Sequence, residues 1–196
     1  MPENNSGNGS ANRLSGLAAM LQNRAEKGHP PVEQWNPDYC GDIGLEIMAD
    51  GTWWYRGSPI DRPALVKLFA SVLRKDTDGR TYLVTPAEKV DVIVADAPFL
   101  AVEMETIGTA PHQELVFRTN VDDVVSCGPA HPLRFAVDEA TGGIKPYLLV
   151  RGRLEALVTR TLTHDLLELA MSTEPAGVRS GGVLFLVPDS YGSKES

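Results

Sequence analysis

An internal repeat constrains this chain more than any other feature of its sequence. The segment 53–86 contains an Arg-Gly pair, a second arginine that opens an apolar helical stretch, and a strand that ends in proline. The segment 147–188 repeats these features in the same order. A repeat with a period near half the chain predicts duplication of one supersecondary unit. We therefore expect two related halves that bury a face against each other, with a ligand site between them.

Each copy is predicted to form a β-hairpin, a helix and a strand. In the first copy, apolar residues alternate over 45–49, and the Asp-Gly pair at 50–51 supplies a tight turn into a partner strand over 52–55. Asp61 is expected to cap the helix that follows, with Pro63 in its first turn. The apolar stripe of this helix consists of Leu65, Leu68, Phe69, Val72 and Leu73.

Two further patterns predict where helical segments begin. Residues 85–88, Thr-Pro-Ala-Glu, have the form of a capping box, so a single helical turn is expected there. Thr163 is expected to cap the helix of the second copy. Hairpins that follow one another with interspersed helices favour an α+β fold with mostly antiparallel sheets. Further strands are predicted at 81–84, 90–95, 99–107, 114–118, 133–137, 147–150, 155–158 and 183–187.

The sequence predicts two repeat halves between less regular ends. Residues 1–30 contain an Asn/Gly/Ser-rich start, which is expected to be disordered, and a short amphipathic helix over 13–27. The N-terminal half is expected to span residues 31–98 and the C-terminal half residues 99–188. Residues 189–196 are polar and small, which predicts a flexible tail.

Composition and charge argue against several function classes. The chain of 196 residues has a formal net charge of −8, so no general surface for nucleic acid or anionic membranes is expected. Its apolar runs are far shorter than the ~18 residues that a membrane span needs. The start of the chain lacks the basic and apolar regions of a signal peptide. We therefore expect a cytoplasmic protein in which Cys40 and Cys127 are free thiols.

Arginines at the starts of both predicted helices point to an anionic partner. Arg62 and Arg160 occupy equivalent repeat positions, at or just before a first helical turn. A cation there opposes the helix dipole by roughly 0.3–1 kcal/mol, so a compensating anion is expected. We interpret these two residues, together with Arg134 and Arg151, as a cluster near the seam between the halves. Such a cluster would hold a phosphate or carboxylate ligand bidentately.

Protein carboxylates are the alternative partners of these arginines. Asp61, Asp96 or Glu155 would form ordinary ion pairs with them and leave no site for a ligand. A second group of carboxylates, which also includes Asp96, could serve acid–base or metal chemistry, but aspartates at strand exits and in loops commonly bond local backbone, so we interpret this group as structural. This group consists of Glu88, Asp91, Asp96, Asp122 and Asp123.

The sequence contains no recognisable reaction motif. Cys127 and His131 are four residues apart, but Gly128-Pro129 prevents the helix that would align a thiol with a base. Cys-x-x-Cys and His-Glu-x-x-His patterns are missing, so no structural zinc site is expected. The glycine motifs of common nucleotide-binding and hydrolase folds are missing too, and the cofactor, if any, is unknown. His131, just ahead of Arg134, is a candidate for a polar ligand contact.

Short motifs are spread along nearly the whole chain, from about residue 31 to residue 187. They are Trp35-x-Pro37, Asp50-Gly51-x-Trp53, Gly57-x-Pro59-Ile60-x-Arg62, Leu83-Val84-Thr85-Pro86-x-Glu88-Lys89, Asp96-Ala97-Pro98-Phe99, Asn120, His131-Pro132-x-Arg134 and Pro146-Tyr147-x-x-Val150-Arg151. In this combination they resemble a bacterial family of unknown function, domain of unknown function 1285, to which no catalytic motif belongs.

This resemblance implies a duplicated core whose C-terminal half has a superficial likeness to pleckstrin-homology folds. It also implies a nucleotide-like ligand at the interface between the halves and a signalling role in bacterial stress. Fold likeness does not by itself establish lipid binding. Taken with the arginine argument, the residues expected to bind the ligand are Arg62, Lys89, Asp96, Asn120, His131, Arg134, Tyr147, Arg151 and Arg160.

Three functional hypotheses follow from the sequence. The first is a non-enzymatic protein that binds an anionic, nucleotide-like ligand between duplicated halves. The second is a small hydrolase or transferase that uses Asp96 or His131 in the same cleft. The third is an adaptor whose repeat faces bind another protein. No metal and no membrane insertion are expected in any of them.

Overall fold

A computed structural model describes residues 29–188. The predicted helix over 13–27, the first residues and the tail 189–196 lie outside the described residues. No helix of the described part has the length and apolar character that a membrane span requires. The elements in chain order are a 3-10 helix (Val32–Gln34), β1 (Tyr39–Ile47), β2 (Trp53–Tyr55), β3 (Ser58–Pro59), α1 (Pro63–Ala70), β4 (Leu73–Lys75), β5 (Thr81–Val84), β6 (Lys89–Val94), β7 (Phe99–Ile107), β8 (Glu114–Thr119), β9 (Val124–Ser126), β10 (Leu133–Val137), β11 (Ile144–Arg151), β12 (Leu154–Val158), α2 (Arg160–Met171), β13 (Gly177–Ser180) and β14 (Val183–Leu186).

The strands of the described residues form two six-stranded sheets and one two-stranded sheet. The first sheet has the order β3-β2-β1-β6-β5-β4, and the second has the order β10-β11-β12-β7-β8-β9. β13 and β14 form the third sheet. Neighbours within the second sheet pair antiparallel except β12 and β7, which are parallel. The prediction of mostly antiparallel sheets is therefore confirmed.

The chain divides into two compact units. Among the described residues, one unit consists of 29–45 together with Trp53–Val92. The other consists of Glu46–Thr52 together with 93–188. Each unit has a core of its own, built from the alternating apolar positions that the strand pattern predicts.

The core of the first unit lies beneath α1. The indole of Trp53 is buried and stacks on the ring of Phe69, with 6.4 Å between the ring centroids and 27° between their planes. Leu45 on β1 and Leu83 on β5 are also fully buried. Trp54 is half-buried, because successive side chains of a strand point to opposite faces. A buried aromatic pair of this kind contributes about 0.5–1.5 kcal/mol beyond the area it buries.

The core of the second unit lies between its six-stranded sheet, α2 and the β13–β14 hairpin. The buried side of α2 carries Leu166 and Ala170, and the helix contacts β7, β11 and β13. The hairpin is fixed by Ser180, whose hydroxyl donates to the carbonyl of Cys127 at 2.7 Å and accepts from the N–H of Leu115 at 2.8 Å. These buried hydrogen bonds tie the last strands to β8.

The two units repeat one order of elements, a hairpin, a helix and a second hairpin, but the hairpin of the first copy was predicted one strand too early, over 45–55. In the first unit the hairpin β2–β3 precedes α1, and the hairpin β4–β5 follows it. In the second unit the hairpin β11–β12 precedes α2, and the hairpin β13–β14 follows it. The repeated Arg-Gly pair lies at the turn of the first hairpin in each copy, and both glycines have positive φ. Arg56-Gly57 forms the turn in the first copy, whereas in the second copy Arg151 ends β11 and Gly152 begins the turn. The single strand predicted after each helix is in fact a hairpin.

The predicted start and end of α1 are wrong by a few residues. Its N-cap is Arg62 instead of Asp61, and no side chain caps it, while Pro63 occupies the first helical turn as expected. The helix ends at Ala70, and Leu73 begins β4. The apolar spacing in the sequence extends beyond the end of the helix because the first residues of β4 are buried in the same core.

Two predicted helix starts are also corrected by the structure. Residues 85–88 form the turn between β5 and β6 and not a helical turn, with the Thr85 hydroxyl accepting the N–H groups of Ala87 and Glu88 at 3.2 and 3.1 Å. α2 begins at Arg160, so Thr163 lies inside the helix, where its hydroxyl donates to the carbonyl of Thr159 at 3.0 Å. Four short strands were not predicted: β3, β4, β9 and β13.

Candidate functional site

Arg62 and Arg160 stand at the starts of the two helices, as predicted. Arg62 is exposed and is the N-cap of α1. Arg160 is exposed and is the first residue of α2, directly after the N-cap Thr159. Within residues 29–188 neither guanidinium has an ion-pair or hydrogen-bond partner, so the carboxylates considered as alternative partners do not contact them. The anionic partner expected from the helix dipole is therefore not supplied by the described part of the chain.

Asp96 accepts hydrogen bonds from two side chains of β11. The Lys145 Nζ lies 2.9 Å from its Oδ2, and the Tyr147 hydroxyl lies 2.7 Å from its Oδ1. Burial, followed by the hydrogen bond to Asp96, raises the pKa of Tyr147 to about 12, so this phenol is a donor at neutral pH. The hydrogen bond to Asp96 also raises the pKa of Lys145, which therefore keeps its positive charge.

Arg134 belongs to the same polar cluster. Its Nε and Nη2 each lie 2.6 Å from an oxygen of Glu155, which is the bidentate geometry of a strong ion pair. The guanidinium also lies over the ring of Tyr147, 4.1 Å from its centroid, because the register of β10 and β11 places the two residues opposite each other. The two N–H donors of Arg134 that were expected to hold a ligand are thus directed at the carboxylate of Glu155.

Arg151 and Asn120 also have partners within the second unit. The Arg151 guanidinium pairs with Asp123 and lies over the ring of Phe99, 4.9 Å from its centroid. Burial lowers the pKa of Arg151 against the opposing effect of Asp123. The Asn120 Oδ1 accepts the N–H of Leu100 at 3.0 Å, which joins the end of β8 to β7 near the irregularity of their pairing. Both side chains stabilise the sheet through these contacts.

Lys89 lies in the first unit and contacts a carboxylate and an aromatic ring. Its Nζ is 3.2 Å from an oxygen of Asp76 and 4.5 Å from the centroid of the Tyr82 ring. A hydrogen bond to Asp78, together with burial, raises the pKa of Tyr82 to about 12. The Lys89 ammonium group therefore lies over the face of an uncharged Tyr82 ring.

His131 and the two cysteines do not form a nucleophilic pair. The His131 Nδ1 lies 3.1 Å from the carbonyl oxygen of Leu149. Cys127 is fully buried, and burial raises the pKa of its thiol to about 11, so it stays protonated at neutral pH. Cys40 is exposed, and its thiol donates to the carbonyl of Asp38. The thiol chemistry considered from the sequence therefore has no reactive geometry at Cys127.

A cavity of about 480 Å³ lies at the start of α2, within the second unit. Arg160 and Lys145 give it two positive charges, and the side chain of the N-cap Thr159 makes no capping hydrogen bond. The N–H groups of a first helical turn have no partners inside the helix, so they add to the positive potential at this end. The cavity is lined by Asp138, Thr141, Gly143, Ile144, Lys145, Leu157, Val158, Arg160 and Thr163.

Lys145 connects this cavity to the polar cluster around Asp96, and the site prediction missed it. Its Nζ lies 2.9 Å from Asp96 and 3.4 Å from Asp138, which also lines the cavity. The excess of basic residues over 145–160 was the signal in the sequence that could have identified it. Asp138 and Thr163 gave no comparable signal, because isolated Asp and Thr residues are common in turns and helices.

A second cavity, of about 450 Å³, lies against β7, β8 and β9. Its lining includes the acidic residues Glu103 and Glu105, with Val116 and Val124 as apolar residues. The cation in this lining, Arg118, is held by Glu103 at 2.7 Å and by a further carboxylate. This cavity is therefore less suited to an anion than the cavity at the start of α2.

Three residues of α2 could contact a metal ion. The ligand atoms of His164, Asp165 and Glu168 lie within 4.8 Å of one another, and all three side chains are exposed. The His164 Nδ1 lies 3.5 Å from Glu168, the geometry of an i, i+4 pair on a helix surface. Exposure leaves these ligands without the supporting hydrogen bonds that orient metal ligands, so the arrangement is that of a solvated helix face.

Comparison with known proteins identifies the family. The chain matches the model of the DUF1285 N-terminal domain over residues 30–97 and that of the DUF1285 C-terminal domain over residues 98–187. It is 44% identical to a DUF1285 family protein of Silicibacter pomeroyi DSS-3 whose crystal structure aligns with a TM-score of 0.81, covering 87% of this chain and 93% of that one. A DUF1285 family protein of Shewanella baltica OS155 is 28% identical, with a TM-score of 0.51 over 64% of this chain and 91% of that one. No curated protein matches the sequence. Since the two family models together span residues 30–187, the chain belongs to the DUF1285 family, whose function is unknown.

Proposed function

We propose that this protein binds a small anionic ligand, such as a nucleotide, in the cavity at the start of α2. The observation that carries the proposal is Arg160, a cation at a helix N-terminus that lines this cavity and has no partner among residues 29–188. Such a cation opposes the helix dipole by roughly 0.3–1 kcal/mol. An anion beside Arg160 would relieve this repulsion and would also accept from the first N–H groups of the helix.

The remaining lining suits a ligand with both charged and apolar parts. Lys145 supplies a second cation, and Thr141 and Thr163 supply hydroxyl groups. Ile144 and Leu157 supply apolar surface against which a planar or aliphatic group could pack. A volume of about 480 Å³ lies within the range of small-molecule sites.

The alternative of a hydrolase or transferase has less support. Asp96 is held by Lys145 and Tyr147, and the His131 Nδ1 is directed at a backbone carbonyl. A general base needs an acceptor within reach of the substrate proton. A shared site between the two halves, the pleckstrin-homology likeness of the C-terminal half, the adaptor hypothesis and the signalling role in stress stay predictions.

A thermal-shift screen tests the proposal. The probes are inorganic phosphate, cyclic AMP, AMP, ADP and ATP, because a ligand that binds the folded state raises the melting temperature by mass action. We expect at least one probe to stabilise the wild type and to lose this effect in Arg160→Gln. The matched control is Arg153→Gln, which removes the same charge from the exposed turn between β11 and β12. No stabilisation of the wild type, or equal stabilisation of the two variants, would overturn the proposal.

A further inference from the structure

We propose that the cavity at the start of α2 selects ligands that carry a single negative charge, and that Asp138 sets this limit. The inference rests on the proposed function and names the class of ligand for the same site: phosphate diesters and other monoanions with an attached apolar or planar group. Phosphate monoesters, diphosphates and triphosphates are the class that the site disfavours.

The charged residues that line the cavity limit the charge that a ligand can carry. Arg160 and Lys145 are positive, and Asp138 is negative, so these three residues leave one net positive charge. Lys145 is further neutralised from outside the lining, because its Nζ is 2.9 Å from the carboxylate of Asp96. Because two carboxylates hold Lys145, the first ligand charge is balanced mainly by Arg160, whereas a second one has no further cation to meet.

Asp138 is held in the lining of the cavity, where its carboxylate would repel a second negative charge on the ligand. Its Oδ1 accepts the backbone N–H of Ala140 at 2.9 Å, and its Oδ2 lies 3.4 Å from the Lys145 Nζ. The hydrogen bond from Ala140 is the main cause of a lowered pKa of Asp138, so the group is a carboxylate at neutral pH. Because the same turn holds the side chain by its own backbone, the carboxylate cannot easily move away from an approaching anion.

The Asp138 carboxylate also favours ligands that carry hydrogen-bond donors. An ionised aspartate accepts hydrogen bonds and donates none, so it favours a ligand N–H or O–H group and repels a second phosphate oxygen. The apolar lining residues Ile144, Leu157 and Val158 favour a ligand whose charge is confined to one end. A cyclic nucleotide combines one phosphodiester charge, a planar base and hydroxyl or amino donors, and it serves as the probe of this class.

Calorimetric titration of cyclic AMP, AMP, ADP and ATP tests the inference. We expect the affinity of the wild type to fall along this series. In Asp138→Asn, which keeps the Oδ1 acceptor for the turn, AMP is expected to bind roughly tenfold more tightly than in the wild type, and cyclic AMP to change little. Glu139→Gln is the matched control, because it removes a carboxylate from the exposed neighbouring position of the same loop.

The outcomes separate this inference from the function on which it rests. Wild-type affinity that rises with ligand charge, or an AMP-to-cyclic-AMP ratio that is equal in wild type and Asp138→Asn, overturns the charge limit but leaves anion binding intact. An increase of the same size in Glu139→Gln also overturns it, because it would show only a general effect of net charge. If no probe binds the wild type, or if Arg160→Gln binds all of them unchanged, the proposed function fails.

Discussion

The hydroxyl of Tyr147 donates a hydrogen bond of 2.7 Å to Asp96, a residue 51 positions earlier in the chain. Tyr147 is only 8% exposed, and the Lys145 Nζ binds the other oxygen of the same carboxylate at 2.9 Å. The loop that leads into β7 is thereby attached to the middle of β11. Lys145 also lines the cavity at the start of α2. Its contact with Asp96 therefore holds one of the two cations of the cavity in place.

Removal of this hydroxyl is expected to destabilise the second unit. Tyr147→Phe leaves a half-buried carboxylate oxygen without its donor, so we expect the free energy of unfolding to fall by about 1–2 kcal/mol. Urea denaturation measures this change. In an Asp96→Ala background the same substitution should cost much less, because the acceptor is already gone. An equal cost in both backgrounds would show that the contact contributes nothing.

A pH dependence is expected from Asp76 in the first unit. Its carboxylate binds the Arg74 Nε at 2.6 Å and the Lys89 Nζ at 3.2 Å. Burial raises the pKa of Asp76, but the hydrogen bonds and charges of Arg74 and Lys89 together outweigh burial and hold it below its ordinary value of 3.8. A carboxylate with a lower pKa in the folded state stabilises the fold above its unfolded pKa. This stabilisation is lost as the pH falls below 3.8 and through the folded value.

Denaturation from neutral pH down to about pH 2 checks this expectation. Asp76→Asn should be less stable than the wild type at neutral pH, and the difference should shrink as the wild-type carboxylate becomes protonated. Asp61→Asn removes a carboxylate from an exposed position before α1 and serves as the control for the loss of one negative charge. A difference between Asp76→Asn and the wild type that stays constant down to acid pH would contradict the account.

Two glycines with similar positive φ angles allow the cost of conformational strain to be distinguished from the cost of steric contact. Gly51 has φ of +80°, and a Cβ there would lie 2.9 Å from both the Asn120 Nδ2 and the Leu100 Cδ1. Gly57 has φ of +76° and no atom within 4 Å of such a Cβ. We expect Gly57→Ala to cost about 1 kcal/mol in unfolding free energy, from strain alone, and Gly51→Ala roughly 2–3 kcal/mol. Equal costs in thermal denaturation would show that the close approach to Asn120 imposes no constraint.

Much of the strand pattern could be predicted because it depends on local signals. Alternating apolar residues and Gly-containing turns correctly predicted β7 and β10 to the residue, and the repeat predicted the shared hairpin and helix. The errors arose where one local pattern fits two structures. Thr85 accepts backbone N–H groups two and three residues ahead, which serves a β-turn as well as a helix cap. The apolar spacing that ends at Leu73 fits a helix, but that residue packs in the same core from a strand.

The candidate site was harder to predict, because the partner of a charged side chain is set by distant residues. Arg134 pairs with Glu155 across 21 positions, and Arg151 pairs with Asp123 across 28 positions. Nothing local distinguishes these arginines from Arg160, which the described part of the chain leaves without a partner. The repeat could indicate Arg160 only through its place at a helix start, and Asp138 only becomes relevant once β11 brings Lys145 beside it.

The most direct measurement of anion binding at the start of α2 is an NMR titration of the full chain with cyclic AMP. We expect the backbone amide shifts to concentrate at residues 141–145, in the turn before β11 and its first residues, and at 158–163, at the start of α2, and to saturate with ligand concentration. Shifts confined to the surroundings of the second cavity on β7 and β8, or no shifts at high ligand concentration, would contradict it.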